Sequence, residues 1–308
     1  MTAAEWIAAE RERAEWNAIV SRSPEEIEDD RRDAEERRRK AQIIQLTPTL
    51  AALHEEVAAP PAAAPAAPAP RPRLSPSQVA TMQACPARWY YKHALKLPDP
   101  MTAPLAIGRA VHAGIEAALT DCDAIATFEQ EFDRCWKEIP AASTDRQTAH
   151  DRAAAYLEIW IRQAAPAIGQ DADCEQQLEG TIGDVPVKAK ADIITENGRV
   201  IEVKTTYEKP RSLPDRYYLQ AITYAMLAEL DSVHVHVLCG SRSPSLQQFS
   251  IIRTKDTDRY AEILYTMTAD QIQSGLYPPR RGASGCSRTS CAYWQRCIQD
   301  HGGDVPQL

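Results

Sequence analysis

The chain has 308 residues, 44% hydrophobic and 25% charged, with 35 Lys and Arg against 43 Asp and Glu for a formal net charge of −8. That length supports a sizeable core in one large domain or two small ones, and the acidic balance excludes a general polyanion-binding surface. No apolar run reaches membrane-span length and the polar, acidic start resembles neither a secretory signal nor a basic transit peptide, so a cytoplasmic location is expected, in which eight cysteines are metal ligands or buried small hydrophobes and not a disulfide framework.

Residues 1–57 are rich in Ala, Glu and Arg. Stretches such as EEIEDDRRDAEERRRKAQ suit a charged helical extension with too few apolar positions for its own core, which makes it a tether or a surface for a protein partner. Residues 58–73, AAPPAAAPAAPAPRPR, form an Ala/Pro-rich linker, extended and semi-rigid. The folded domain is expected over 74–308.

In that domain LSPSQVATMQACPARWYYKHAL, residues 74–95, reads as a helix with Ser75 as N-cap and Pro76 at its first position. LAIGRAVHAGIEAAL and DRAAAYLEIWIRQAA have helical apolar spacing. In GRAVH, Gly108 lies one turn before His112, so the helix can approach a sheet closely where the imidazole points in. Strands follow at 174–182, 185–194 and 199–205, a helix at 215–230, strands at 233–239 and 246–253, and a last helix at 256–274. The fold class is α/β, with a helical preface.

Two of these strands carry the chemistry. In VPVKAKADII, Val187, Ala189, Ala191 and Ile193 alternate with Lys188, Lys190 and Asp192; in VIEVK, Ile201 and Val203 face away from Glu202 and Lys204. An Asn197-Gly198 two-residue turn would set Ile193 against Glu202 and waste the core. A three-residue loop of Glu196, Asn197 and left-handed Gly198 sets Ile193 opposite Ile201, uniting the apolar faces. Asp192 then lies across from Glu202, with Cα atoms roughly 4.5 to 5.5 Å apart, and Lys190 across from Lys204. Like charges so placed destabilise a bare sheet. A divalent cation between the carboxylates, Mg²⁺ or Mn²⁺ for hard oxygen ligands, and a phosphate near the lysines would offset that repulsion.

Further along, QAITY puts Gln220 and Tyr224 on one helical face. Cys122, Cys135, Cys174 and Cys239 are scattered in apolar contexts and read as buried small hydrophobes. Cys286, Cys291 and Cys297 instead fall within twelve residues, CSRTSCAYWQRC, with Cys85 far away in QACPARWYY.

Asp192 followed by Glu202-Val203-Lys204 across a hairpin resembles the signature of the PD-(D/E)XK nucleases, and GRAVH, QAITY and the terminal cysteines resemble the RecB-like branch that includes CRISPR-associated and phage iron-sulfur exonucleases. The resemblance covers residues 74 to 298. It implies a restriction-endonuclease-like core, a mixed central sheet flanked by helices with a helical insertion. It implies metal ligation by His112, Asp192, Glu202 and the Val203 carbonyl, with Lys204 acting on the water or the transition state and Gln220 and Tyr224 in support. It also implies a [4Fe-4S] cluster on Cys85, Cys286, Cys291 and Cys297 that staples the domain ends, with structural Zn²⁺ the alternative for the same thiols.

The implied activity is metal-dependent DNA exonuclease action on DNA ends and single strands, in recombination, repair, phage replication or CRISPR adaptation. The alternatives are a non-catalytic DNA-binding module on the same fold and a nuclease that acts on RNA or cuts internally. Residues 74–308 hold 24 Lys and Arg against 29 Asp and Glu, a net of −5. Contact with nucleic acid is therefore expected from local patches: Arg280, Arg281, Arg288 and Arg296 in the last segment, and Lys188, Lys190, Lys209, Arg211 and Arg216 around the central strands.

Overall fold

The computed structural model describes residues 70–140, 145–169, 172–240, 243–283 and 285–302; the charged extension and most of the linker lie outside them. Helix α1 (Pro76–Ala84) starts on a reciprocal cap in which Ser75 Oγ accepts the Gln78 N–H and the Gln78 side chain accepts the Ser75 N–H. The expected continuous helix to residue 95 is broken at Cys85, which is extended (φ −163°, ψ 112°). Pro86 explains the break: its ring disfavours helical geometry in the residue before it, and it then opens α2 (Pro86–Trp89) as the first helical residue. The chain next widens into a π-type turn, with the Leu95 N–H bonded to the Tyr90 carbonyl at 2.9 Å.

Three longer helices follow, α3 (Ala103–Leu119), α4 (Ala124–Trp136) and α5 (Arg146–Gln163), and then the short α6 (Ala165–Ile168). Strands β1 (Asp173–Ile182), β2 (Val185–Ile194) and β3 (Val200–Thr206) lead into α7 (Asp215–Leu227), β4 (Ser232–Cys239), β5 (Ser245–Ile252), α8 (Lys255–Ser274) and α9 (Trp294–His301). The sheet order is β1-β2-β3-β4-β5, antiparallel throughout except for the parallel β3–β4 pair. Helix α7 is the connection that this parallel pair requires. Helices α4 and α9 were not foreseen.

Both faces of the sheet are covered. Val187, Ala189, Ala191, Val200, Val233, Val235 and Val237 pack with Leu219, Ile222 and Tyr224 of α7 and Tyr265 of α8. On the other face Ile193, Ile201, Val203 and Leu238 pack with Ile107 and Val111 of α3, Phe128 and Phe132 of α4, and Leu157 and Trp160 of α5. The apolar side chains of β2 thus do not share one face as alternation suggested: Ala191 and Ile193 belong to opposite cores.

The β2–β3 register is the one that burial favours. Ile193 lies opposite Ile201, the Thr195 N–H bonds the Arg199 carbonyl, and Gly198 takes φ +75°. Chain before α1 also belongs to this body: Leu74 exchanges backbone hydrogen bonds with Pro186 and Lys188, and Arg71 bonds Asp184, Asp270 and Gln273. Among the described residues no helix is long and apolar enough to cross a membrane.

Candidate active site

Asp192 stands where the sheet opens. The register of β1 with β2 passes from Gln176–Ala191 to Cys174–Ile193 and skips Glu175 and Asp192, and the pairing of β2 with β3 extends only over Ile193–Ile201 and Ile194–Val200. Asp192 Oδ2 accepts the Val203 N–H at 2.8 Å, so a side chain replaces a rung of the ladder and fixes the carboxylate against β3. Glu175 takes φ +57°, a left-handed conformation that costs a non-glycine residue about 1 to 2 kcal/mol. This opening is what moves Ile193 to the other core.

Glu202 is fully buried; its Oε1 accepts from the Lys204 ammonium, and its Oε2 has no hydrogen-bond partner. Such an orphaned carboxylate oxygen is costly unless a cation or donor reaches it. His112 enters from α3, where a Cβ on Gly108 would lie 3.3 Å from Thr205 Oγ1, so the glycine does bring the helix close to β3. Its Nε2 donates to the Val203 carbonyl at 3.1 Å, which leaves Nδ1 facing Asp192 Oδ1 at 3.6 Å.

The four expected ligand groups are thus gathered at the opening. The tightest grouping includes one residue that the sequence reading missed: ligand atoms of His112, Asp192 and Glu175 lie within 4.8 Å of one another, beside a small pocket that Cys174 and Val203 also line. The available signal was the two-residue Gly183-Asp184 turn, whose Ile182–Val185 pairing, counted back, sets Glu175 opposite Asp192.

Burial raises the carboxyl pKa of both acids against the pull of Lys204, that of Glu202 to about 7. Burial alone would lower Lys204, but Glu202 and Asp192 outweigh it and hold the ammonium charged. Burial, then Lys204, lowers His112, which is therefore a neutral imidazole at pH 7, the form that ligates metals. Hard carboxylate oxygens with one imidazole suit Mg²⁺ or Mn²⁺, and a cation would meet the need of Glu202 Oε2.

Gln220 and Tyr224 back this site from α7. Gln220 Nε2 donates to Tyr224 Oη at 2.5 Å, and that hydroxyl donates to the Lys190 carbonyl at 2.7 Å, securing β2 two residues before Asp192. Tyr217, one turn earlier and also missed, places its ring centroid 5.5 Å from Lys204 Nζ and 4.7 Å from the Arg216 guanidinium.

Several expected neighbours lie elsewhere. Lys190 pairs across the sheet with Gln177, not with Lys204, and its ammonium meets Glu175, while Lys188 meets Glu179. Arg280 donates to the Gln83 carbonyl, Arg281 to the carbonyls of His301 and Gly302, and Arg296 to Asp300, so these arginines tie the last segment down. Cys135 and Cys239 are buried as expected, but Cys122 is exposed and Cys174 half-buried.

Cys85, Cys286, Cys291 and Cys297 line a single cavity of about 40 Å³ with Arg88, Tyr91 and Tyr293. The extended Cys85 between α1 and α2 receives the Arg280 N–H on its sulfur at 3.4 Å. Burial, then the neighbouring thiols, raises Cys297 to about 11; burial also raises Cys291, against a hydrogen bond from the Tyr293 backbone. The structure thus brings the four expected cysteines, separated by up to about 200 residues in sequence, to one cavity wall.

The sequence pattern of the PD-(D/E)XK nuclease superfamily matches residues 73–298. No curated protein matches the chain. Among solved structures, a protein from Eubacterium rectale, provisionally named an exonuclease, is 11% identical over 77% of this chain and 91% of its own, with a TM-score of 0.52. A phage-related exonuclease from Haemophilus somnus 129PT is 14% identical over 67% of this chain and 96% of its own, with a TM-score of 0.33. At 11% identity the first likeness is one of fold.

Proposed function

The chain belongs to the PD-(D/E)XK nuclease superfamily, and on that premise we propose that it is a metal-dependent deoxyribonuclease of the RecB-like, iron-sulfur branch, digesting single-stranded DNA from its ends. The observation that carries the reading is the buried Glu202 carboxylate, which keeps one oxygen unpartnered beside Asp192, Lys204 and a neutral imidazole. The roles served are those of recombination, repair, phage replication or CRISPR adaptation.

His112, Asp192, Glu202 and the Val203 carbonyl hold Mg²⁺ or Mn²⁺, with Glu175 in reach. A divalent ion in such a site lowers the pKa of water and neutralises charge on the reacting phosphate. Asp192 is aimed by the Val203 N–H. Lys204, kept charged by the two acids, orients the attacking water or stabilises the negative charge that develops on the phosphate oxygens. Tyr217 and Gln220 steady the lysine and Tyr224, and Tyr224 steadies β2.

The four cysteines hold a [4Fe-4S] cluster. The four thiols surround one cavity, and they lack the C-x₂-C knuckle that zinc sites commonly contain. Residues 1–57 serve as a partner-binding extension and 58–73 as its linker to the nuclease domain, the last part of which, with Arg71, packs on that domain.

The test is cleavage of end-labelled linear single-stranded DNA, duplex DNA and RNA, with circular single strands for comparison, in Mg²⁺, Mn²⁺ or chelator. Linear single-stranded DNA is expected to be shortened progressively with either metal while circles and RNA survive. Cut circles would establish internal cleavage, preferred digestion of RNA would change the substrate, and no cleavage in any arm would overturn the enzymatic reading.

A further inference from the structure

We propose that Arg88 is the counter-charge of the four-cysteine cavity, its buried Nε–H donating to the sulfur ligands of the group held there; this rests on the cluster reading above. Arg88 follows Cys85 by one helical turn and lines the same cavity as all four thiols. Its Nε is buried with no hydrogen-bond partner, and among the described residues no carboxylate forms an ion pair with it.

A guanidinium carries five N–H donors in a fixed fork, and burying one of those donors without an acceptor is costly. The other cation on the cavity wall is already employed, since Arg281 donates to the carbonyls of His301 and Gly302. The four thiols are the neighbours of the unpartnered Arg88 Nε–H on the cavity wall. Four thiolates around a metal-sulfide core carry net negative charge, and charge and hydrogen bonds at the sulfurs set the potential of such a core. Arg88 is thus a positioning and tuning residue, with no contact to DNA required.

The experiment uses full-length, anaerobically purified protein. Iron and acid-labile sulfide are assayed first, and the reduction potential is then measured by dye-mediated titration with dithionite. An electron added to the core increases its negative charge, so removing the nearby positive charge disfavours reduction. Arg88→Met and Arg88→Gln are expected to shift the potential to more negative values at unchanged iron content, with Arg88→Lys close to the wild type. If Arg88→Met does not accumulate, Arg88→Gln carries the same expectation, because it keeps a donor and loses the charge. Iron-loaded Gln or Met variants at the wild-type potential would overturn the role of Arg88 alone. Wild-type protein without iron would instead overturn the cluster reading on which it rests.

Discussion

Glu202 is asked to be a buried anion, and its environment answers only half of that demand. Lys204 neutralises one oxygen and the other has no hydrogen-bond partner, so neither residue can be replaced without unbalancing its partner. Glu202→Ala and Lys204→Ala are each expected to reduce DNA cleavage by ~100-fold or more while gel-shift binding of DNA persists; a near wild-type rate in either variant would place the site elsewhere. The pKa of Glu202, about 7, also has a thermodynamic consequence. The folded chain keeps a proton there that the unfolded chain releases in the ordinary carboxylate range, so stability from that proton is present at low pH and lost as pH rises through about 7. Thermal melts of metal-free protein are therefore expected to show Glu202→Gln gaining on the wild type as pH rises through that value, with Mn²⁺ restoring the wild type. A difference in Tm that does not change with pH would contradict the burial argument. Asp192, Glu202 and Lys204 were legible because strand alternation and one loop length fix them. Glu175 was obscured by its left-handed φ of +57°, which no side-chain pattern announces.

At the scale of elements, the site depends on how closely α3 lies on β3. Gly108 already leaves only 3.3 Å between a hypothetical Cβ and Thr205 Oγ1, so a branched side chain must push the helix away and carry His112 with it. Gly108→Val is expected to lower Mn²⁺ affinity in calorimetry and to slow cleavage by up to about 100-fold, as small misplacements of catalytic groups do; unchanged Mn²⁺ affinity would show that the helix need not approach so closely. The extents of the five strands were readable from periodicity, as was the β2–β3 register, because apolar faces must meet, whereas their order in the sheet and the parallel β3–β4 pairing were not. Two features were not. The interruption at Asp192 results from an exchange of one backbone rung for a carboxylate, and it sends Ala191 and Ile193 into different cores. The break at Cys85 was signalled by Pro86, but the helical pattern on either side of it concealed the stop.

Across the whole molecule, the two ends of the domain meet at the cysteine cavity. A group bonded to Cys85 and Cys291 closes a loop of roughly 200 residues, which restricts the unfolded chain as a long disulfide loop does, by a few kcal/mol on the order of 3 to 5. Cys291→Ala is accordingly expected to bleach the protein and lower its Tm, leaving Mn²⁺ binding at Asp192 intact; undiminished Tm would remove the staple. Truncation separates the attached chain from the extension. Removing residues 1–68 is expected to leave cleavage and Tm unchanged, whereas removal through Arg73 also deletes the contacts of Arg71 with Asp184 and Asp270 and should lower Tm without abolishing cleavage. Equal Tm for the two truncations would make those ion pairs irrelevant. The spread of the four thiols along the chain also sets an order of biogenesis. A nascent chain synthesised only to Gly285 has all five strands and α8 but a single thiol of the four. Any group bonded to all four thiols is therefore completed only once Cys297 has been made, when the whole sheet and α8 already exist.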